Sequence, residues 1–269
     1  MKWKKIRKWL IVLAILYIAG GCIIYFLQDA VLFHPVSLKR DHKYDFKEPH
    51  EDITIDISEQ ESLNLVRFNS TDSVTRGVVL YFHGNKKNIS RYAPLTPYFT
   101  RDGYEVIMID YPGFGKSTGK FTEQTLYDWS MQVYKLARSR YASDSIIIYG
   151  KSMGTGIAAQ LATKVKCRRL ILETPYYDLA SVLKHYLFIY PIDWMIHYEL
   201  PIYKYLPLVE TPITIFHGTS DGVITYGNAK RLVPLLKKED EFITIKGGSH
   251  NDLYEFPLTV QKLDSLLEL

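Results

Sequence analysis

The chain has 269 residues, 47% of them hydrophobic and 23% charged, which suits one large folded domain and excludes a disordered protein. Its net charge is +4, but Lys2, Lys4, Lys5, Arg7 and Lys8 supply five positive charges, which leaves the rest of the chain at −1. A body this close to neutral offers no broad cationic face to a phosphate backbone, so nucleic acid is excluded as a partner. With only Cys22 and Cys167 present, the fold must stand on its core, without a disulfide framework.

The first element is a membrane candidate. Residues 9–27 form an uncharged, largely apolar run of 19 residues, close to the length that crosses a hydrocarbon core. The basic flank at 1–8 predicts a cytoplasmic N-terminus, with everything after the anchor on the far side of the bilayer. Ala19-Gly20-Gly21-Cys22 has the small residues of a cleavage or lipidation site, yet Ile23 to Leu27 continue the apolar run beyond it. Residues 37–51 are rich in charge, and 28–51 are expected to tether the anchor to the domain.

From residue 52 onward, strand and helix patterns take turns. Asp52–Ile57 and Leu63–Phe68 suit a hairpin. Short β-branched runs then follow at Gly77–Phe82, Glu105–Asp110, Ser145–Tyr149, Leu170–Glu173, Pro212–His217 and Phe242–Ile245. Strands this apolar belong in a sheet covered on both faces. Helices are expected at Ile89–Arg101 (weakened by Pro94 and Pro97), Thr122–Tyr141, Ser152–Lys166, Tyr226–Leu236 and Leu253–Leu267. The alternation predicts one doubly wound α/β domain over 52–269. Residues 174–211 make too long a connection for a simple crossover. Rich in aromatics and cut by Pro191, Pro201 and Pro207, this stretch reads as a lid insert.

The chemistry centres on Gly150-Lys151-Ser152-Met153-Gly154, set between a strand and a helix. Such a turn exposes a serine Oγ beside free helix N–H groups, as nucleophilic catalysis requires. A serine needs a base and the base an orienting carboxylate. Asp221, after Pro212–His217, and His250, after Phe242–Ile245, follow in the order Ser, acid, His. Asp178 is a second candidate for the acid, although an N-cap explains it. The backbone N–H groups of Met153 and Asn85 are expected to form the oxyanion hole, with His83 bracing its loop.

Two motifs mislead. Gly113-Phe114-Gly115-Lys116-Ser117 lacks the first glycine of a phosphate loop and contains Pro112. Gly154-Thr155-Gly156 falls inside a helix rather than in the turn that would meet a pyrophosphate. No cofactor is called for, and no metal-ligand spacing is present. His185 and His197 belong to the insert.

Taken together, the motifs resemble the α/β-hydrolase superfamily and, within it, the membrane-anchored α/β-hydrolase-domain-containing subfamily of serine hydrolases. They are Phe33-His34-Pro35, His83-Gly84-Asn85, Asp110-Tyr111-Pro112-Gly113-Phe114-Gly115 with Ser117, the Ser152 turn, Glu173-Thr174-Pro175, His217-Gly218 with Asp221, and His250-Asn251-Asp252. The resemblance implies a mostly parallel eight-stranded sheet and a Ser152–His250–Asp221 triad. It also implies hydrolysis of an ester or thioester through an acyl-enzyme, with a small-molecule or lipid-like acyl substrate. The alternatives are a peptidase-like hydrolase and a catalytically silent binding protein. Asn85-Lys86-Lys87-Asn88 departs from the small residues usual in such relatives, so access near the oxyanion hole differs here.

Overall fold

The computed structural model describes residues 2–268; Met1 and Leu269, the outer ends of the expected flank and domain, lie outside the described residues. The β-branched runs fold into eight strands: β1 (His50–Asp56), β2 (Ser62–Phe68), β3 (Gly77–Phe82), β4 (Tyr104–Ile109), β5 (Ile146–Lys151), β6 (Arg169–Glu173), β7 (Ile213–Gly218) and β8 (Glu241–Ile245). They form one sheet in the order β8-β7-β6-β5-β3-β4-β2-β1. Only β2 runs against the others, pairing antiparallel with β1 and β4. This is the α/β-hydrolase architecture that the sequence implies.

Period-2 alternation divides the core between the two faces of the sheet. Val78, Leu80 and Phe82 of β3 pack on one face with Trp129 and Val133 of α2 (Glu123–Arg138) and Ile157 of α3 (Gly154–Ala162). Val79 and Tyr81 face the other way, against Phe99 and against Leu263 and Leu266 of the C-terminal helix Pro257–Glu268. Chain reversal at β3 makes a switch point. The connection after β3 leads to β4 on one side, while that after β5 leads to β6 on the other. Open α/β sheets place their ligands in the crevice at such a point.

Helix boundaries differ from the sequence reading where proline intervenes. The expected Ile89–Arg101 helix is three short pieces, Ile89–Tyr92, Ala93–Leu95 and Pro97–Thr100, because Pro94 and Pro97 cannot donate to the ladder. Pro234 likewise ends the expected Tyr226–Leu236 helix at Lys230, with one tight turn after it. The insert holds α4 (Leu179–Tyr186) and two single-turn helices, Ile192–Met195 and Ile202–Tyr205.

At the N-terminus α1 covers Lys2–Phe26, 25 residues with a mean hydropathy of 2.4 over its most apolar window, none of which is buried in the protein. Residues 28–51, expected to be a tether, are instead packed on the domain in several places. A short helix, Gln28–Leu32, follows α1, and Leu32, Phe33 and Tyr44 are buried. His34 and Pro35 pair in parallel with Lys86 and Lys87. Of Leu32, Phe33 and Tyr44, only Tyr44 lies in the charge-rich part of the stretch, residues 37–51.

Candidate active site

Strand β5 delivers Ser152 and α3 leads away from it. Ser152 has φ 51°, in the left-handed region that a non-glycine residue occupies only under strain. The strain is held by bonds on either side. The Ser152 N–H donates to the Glu173 carbonyl at 2.9 Å, and the Ser152 carbonyl accepts from the Thr155 N–H at 2.9 Å. The flanking glycines are sterically required. A Cβ on Gly150 would lie 2.6 Å from the Gly154 carbonyl oxygen and 2.7 Å from the Thr155 Cα, and one on Gly154 would overlap the Phe82 carbonyl. Gly154→Ala is therefore expected to destabilise the domain by about 3 kcal/mol, the upper end for overpacking, measured by urea unfolding.

The loops after β7 and β8 bring two further side chains to this serine. His250 Nε2 stands 3.0 Å from Ser152 Oγ, and His250 Nδ1 stands 2.8 Å from Asp221 Oδ2. All three residues are at least nine-tenths buried. Asp221 Oδ1 accepts from the N–H groups of Val223 and Ile224, both at 2.8 Å. Burial pushes the Asp221 carboxyl up, but the bond to His250, its charge and the two backbone donors outweigh that and hold the pKa below the ordinary value. Burial lowers the pKa of His217, which lies 3.7 Å from Asp221 and donates through Nδ1 to the Gly218 carbonyl at 3.0 Å. Asp178 is elsewhere: it caps α4, accepting from the Ser181 N–H at 2.6 Å in a reciprocal capping box.

The loop after β3 closes over the serine. Asn85 lines the same apolar chamber as Ser152 and Met153. Among the described residues neither the Met153 nor the Asn85 N–H donates to a protein acceptor. His83 is fully buried and braces this loop, with Nδ1 2.7 Å from the Gly84 carbonyl and Nε2 3.2 Å from Asp110 Oδ1. Asp110 also accepts from the Ile89 N–H at 2.9 Å, so one buried carboxylate fixes both ends of the loop. The supposed tether takes part as well. The Asn85 side chain donates to the Leu32 carbonyl at 2.6 Å, and the His34 N–H donates to the Asn85 carbonyl at 2.9 Å.

Beneath the turn lies a buried network of charged and hydroxyl groups. Lys151 and Glu173, opposite each other in the β5–β6 register, form a buried ion pair. Glu173 also accepts from the Tyr149 hydroxyl at 2.6 Å, and Tyr149 meets the Tyr254 hydroxyl at 2.8 Å. The signal was present as two charged residues ending otherwise apolar strands. Removing one member leaves a buried charge uncompensated, so Glu173→Ala is expected to cost about 3–5 kcal/mol in equilibrium unfolding.

Two chambers meet at Ser152. An apolar one of about 220 Å³ is walled by Leu32, Phe33, Met153, Tyr176, Leu183 and Ile224. A more polar one of about 210 Å³ is lined by His250, Asn251, Tyr92, Lys86 and Arg91, among others, and no Asp or Glu lines it. A groove of about 820 Å³ runs beside them over Phe33, Phe114 and Phe121, bordered by Lys86, Lys87 and Arg91.

Comparison with known proteins agrees with this architecture. The family described as serine aminopeptidase, S33, matches residues 73–198. α/β-Hydrolase domain-containing protein 17C of Xenopus tropicalis is 27% identical over 201 residues, 72% of this chain and 62% of that protein. The human protein of the same name is 26% identical, over 72% of this chain and 58% of its own length. The chain thus spans less than two thirds of the length of these relatives. Among solved structures, the Pyrococcus furiosus esterase Pf2001 superposes with a TM-score of 0.68 at 17% identity, covering 88% of this chain and 97% of that one. A soluble variant of the Saccharomyces cerevisiae monoglyceride lipase, in complex with a substrate analogue, gives 0.65 at 15% identity over 86% and 98%.

Proposed function

We propose, from the premise that this chain is an α/β-hydrolase-domain protein, that it is a serine hydrolase cleaving carboxylic esters or thioesters at Ser152. The observation that carries the proposal is the continuous line of contact from Asp221 through His250 to Ser152 Oγ, on a serine held in a strained turn that opens on two chambers. In this mechanism His250 takes the Ser152 proton as Oγ attacks the acyl carbon, and Asp221 fixes the imidazole with Nε2 free to accept. The Met153 and Asn85 N–H groups receive the oxyanion. His250 then gives the proton to the departing alcohol or thiol, and water hydrolyses the acyl-enzyme.

The family description as an aminopeptidase supports a second reading. A free α-ammonium group on the acyl side calls for a carboxylate partner, however, and neither chamber at Ser152 has an acid in its lining. Ester or thioester chemistry fits that lining better. The test is turnover of the purified protein on p-nitrophenyl esters, acyl thioesters and aminoacyl-p-nitroanilides. Cleavage of the anilides alone would move the assignment to a peptidase.

We also infer that α1 holds the enzyme to a membrane. The lid insert lies against it: Tyr17 and Tyr190 stack at 4.8 Å, and the Tyr17 hydroxyl donates to the Ile189 carbonyl at 3.0 Å. Gln28 bridges to the insert too, accepting from the His197 N–H at 2.7 Å. Phe188 and Trp194 are 81% and 86% exposed on the same insert, as side chains facing lipid would be. Full-length protein is expected to stay in the membrane fraction through alkaline carbonate extraction. Protease added to intact spheroplasts should cut the hydrolase domain, as the basic flank predicts. Protection of the domain in intact spheroplasts would reverse the topology.

A further inference from the structure

We propose that the substrate is an acyl ester of an anionic membrane lipid, whose phosphate-bearing alcohol occupies the polar chamber and is recognised by Lys86 and Arg91. The proposal rests on the serine-hydrolase reading above and names its substrate class. Ser152 lies where the two chambers meet, so a bound ester has its acyl chain on one side of the nucleophile and its alcohol on the other. The apolar chamber suits the chain. The alcohol is left with the chamber that His250 lines, on the side where the leaving oxygen must be protonated.

The charge of that chamber selects the alcohol. Lys86 and Arg91 line it, both are exposed, and among the described residues neither forms a salt bridge. The third cation, Lys151, is already matched by Glu173. Two unmatched cations on the chamber that Ser152 and His250 line favour an anion there, and charge-assisted bonds to phosphate are the strong ones. Arginine offers a planar fork and lysine a mobile point charge, a pair that suits a phosphate monoester.

The position of the cations favours a lipid over a soluble phosphate. The groove that Lys86 and Arg91 also border is lined by Asp29 and Ala30, just past the end of α1 at Phe26, and by Phe33, Phe114 and Phe121. Asp29 itself is occupied by the Tyr198 hydroxyl at 2.8 Å. The cations therefore share a groove with the residues that follow the apolar helix, where the hydrocarbon core ends and lipid headgroups begin. In the reaction the bond from Ser152 Oγ to the acyl carbon forms and the bond from that carbon to the glycerol oxygen breaks. The serine proton passes through His250 to that oxygen. Water then releases a fatty acid, and the phosphate ester stays intact.

The test uses full-length protein in neutral detergent micelles, comparing kcat/KM on a lysophosphatidate and on the monoacylglycerol with the same acyl chain. The wild type is expected to prefer the lysophosphatidate about tenfold or more. Lys86→Gln/Arg91→Gln should erase the preference, Lys86→Glu/Arg91→Glu should reverse it, and Lys238→Gln on a distant surface should leave it unchanged. Circular dichroism checks that each variant is folded. An unmoved ratio in the folded double variants overturns the proposal. So does a phosphate preference seen only between octanoyl-CoA and a matched neutral thioester, which would replace the lipid by a soluble acyl carrier. If a fluorophosphonate labels Ser152 but lysophosphatidate is not turned over, the substrate class alone is overturned. With neither labelling nor turnover, the hydrolase reading beneath it falls as well.

Discussion

Ser152→Ala is expected to abolish labelling by a fluorophosphonate probe and to lower ester turnover by roughly 10⁴- to 10⁶-fold, while the protein stays folded. The probe reacts only with a serine whose hydroxyl is activated. In the proposed mechanism activation comes from His250, whose Nε2 lies 3.0 Å from Oγ, and from the strained turn that presents the hydroxyl. Alanine removes the nucleophile and little else, because both bonds that hold the turn run through the backbone of residue 152. Relief of the left-handed strain is not expected either, since alanine keeps the Cβ that causes it. Activity and stability should therefore separate, with turnover collapsing and the urea midpoint moving little. Undiminished labelling of the variant would remove Ser152 from the mechanism. A folded wild type that takes no label would favour a protein that uses the pocket only to bind.

The contrast with Glu173 sharpens this expectation. Glu173→Ala breaks a buried ion pair and should cost stability first, with activity lost only as far as the Ser152 turn and the His250 loop are disturbed. Lys151, its partner, lies 3.5 Å from the His250 carbonyl, so some disturbance of the base is expected.

The sheet and the three side chains at the turn were legible for the same physical reason: each is written in local pattern. β-Branched runs bounded by turn residues mark β3 to β8, and Gly150-x-Ser152-x-Gly154 marks a turn in which a Cβ at either glycine position would strike backbone. Asp221 and His250 were legible from chain order, because parallel strands put every following loop at one edge of the sheet. What stayed hidden depends on register and on backbone contacts that no side-chain pattern encodes. Lys151 and Glu173 are neighbours only once β5 and β6 are aligned. Residues 28–36 read as a tether because their hold on the domain is largely main-chain: the Leu32 carbonyl to Asn85, the His34 N–H to the Asn85 carbonyl, and the Val36 N–H to the Lys87 carbonyl. Leu32 and Phe33, expected only to lead away from the membrane, are walls of the apolar chamber. Helix lengths failed at Pro94, Pro97 and Pro234, where a helical apolar pattern persists through residues that cannot continue the ladder.

Asp221→Asn is expected to lower ester turnover by about 10⁴-fold, the loss that follows when a triad carboxylate no longer fixes its histidine tautomer. Asp178→Asn should leave turnover within a few-fold of wild type. The geometry separates the two acids. Asp221 Oδ2 lies 2.8 Å from His250 Nδ1, while Asp178 accepts from the Ser181 N–H at the start of α4 and acts as a helix cap. An asparagine at 178 keeps an acceptor oxygen and remains a good cap, so the expected stability loss is small. At 221 the amide can instead present its NH₂ to Nδ1. That favours the tautomer with the proton on Nε2, where it faces Ser152 Oγ and cannot accept. The pH dependence of stability gives an independent reading. Interactions with His250 and the backbone donors hold the Asp221 pKa below its unfolded value, so its ionised form stabilises the fold above about pH 4. That contribution is lost as pH falls through the depressed folded value. The stability difference between wild type and Asp221→Asn should therefore narrow below about pH 4 in urea unfolding. A turnover loss at Asp178→Asn instead, in folded protein, would move the orienting carboxylate to α4 and leave Ser152 and His250 in place.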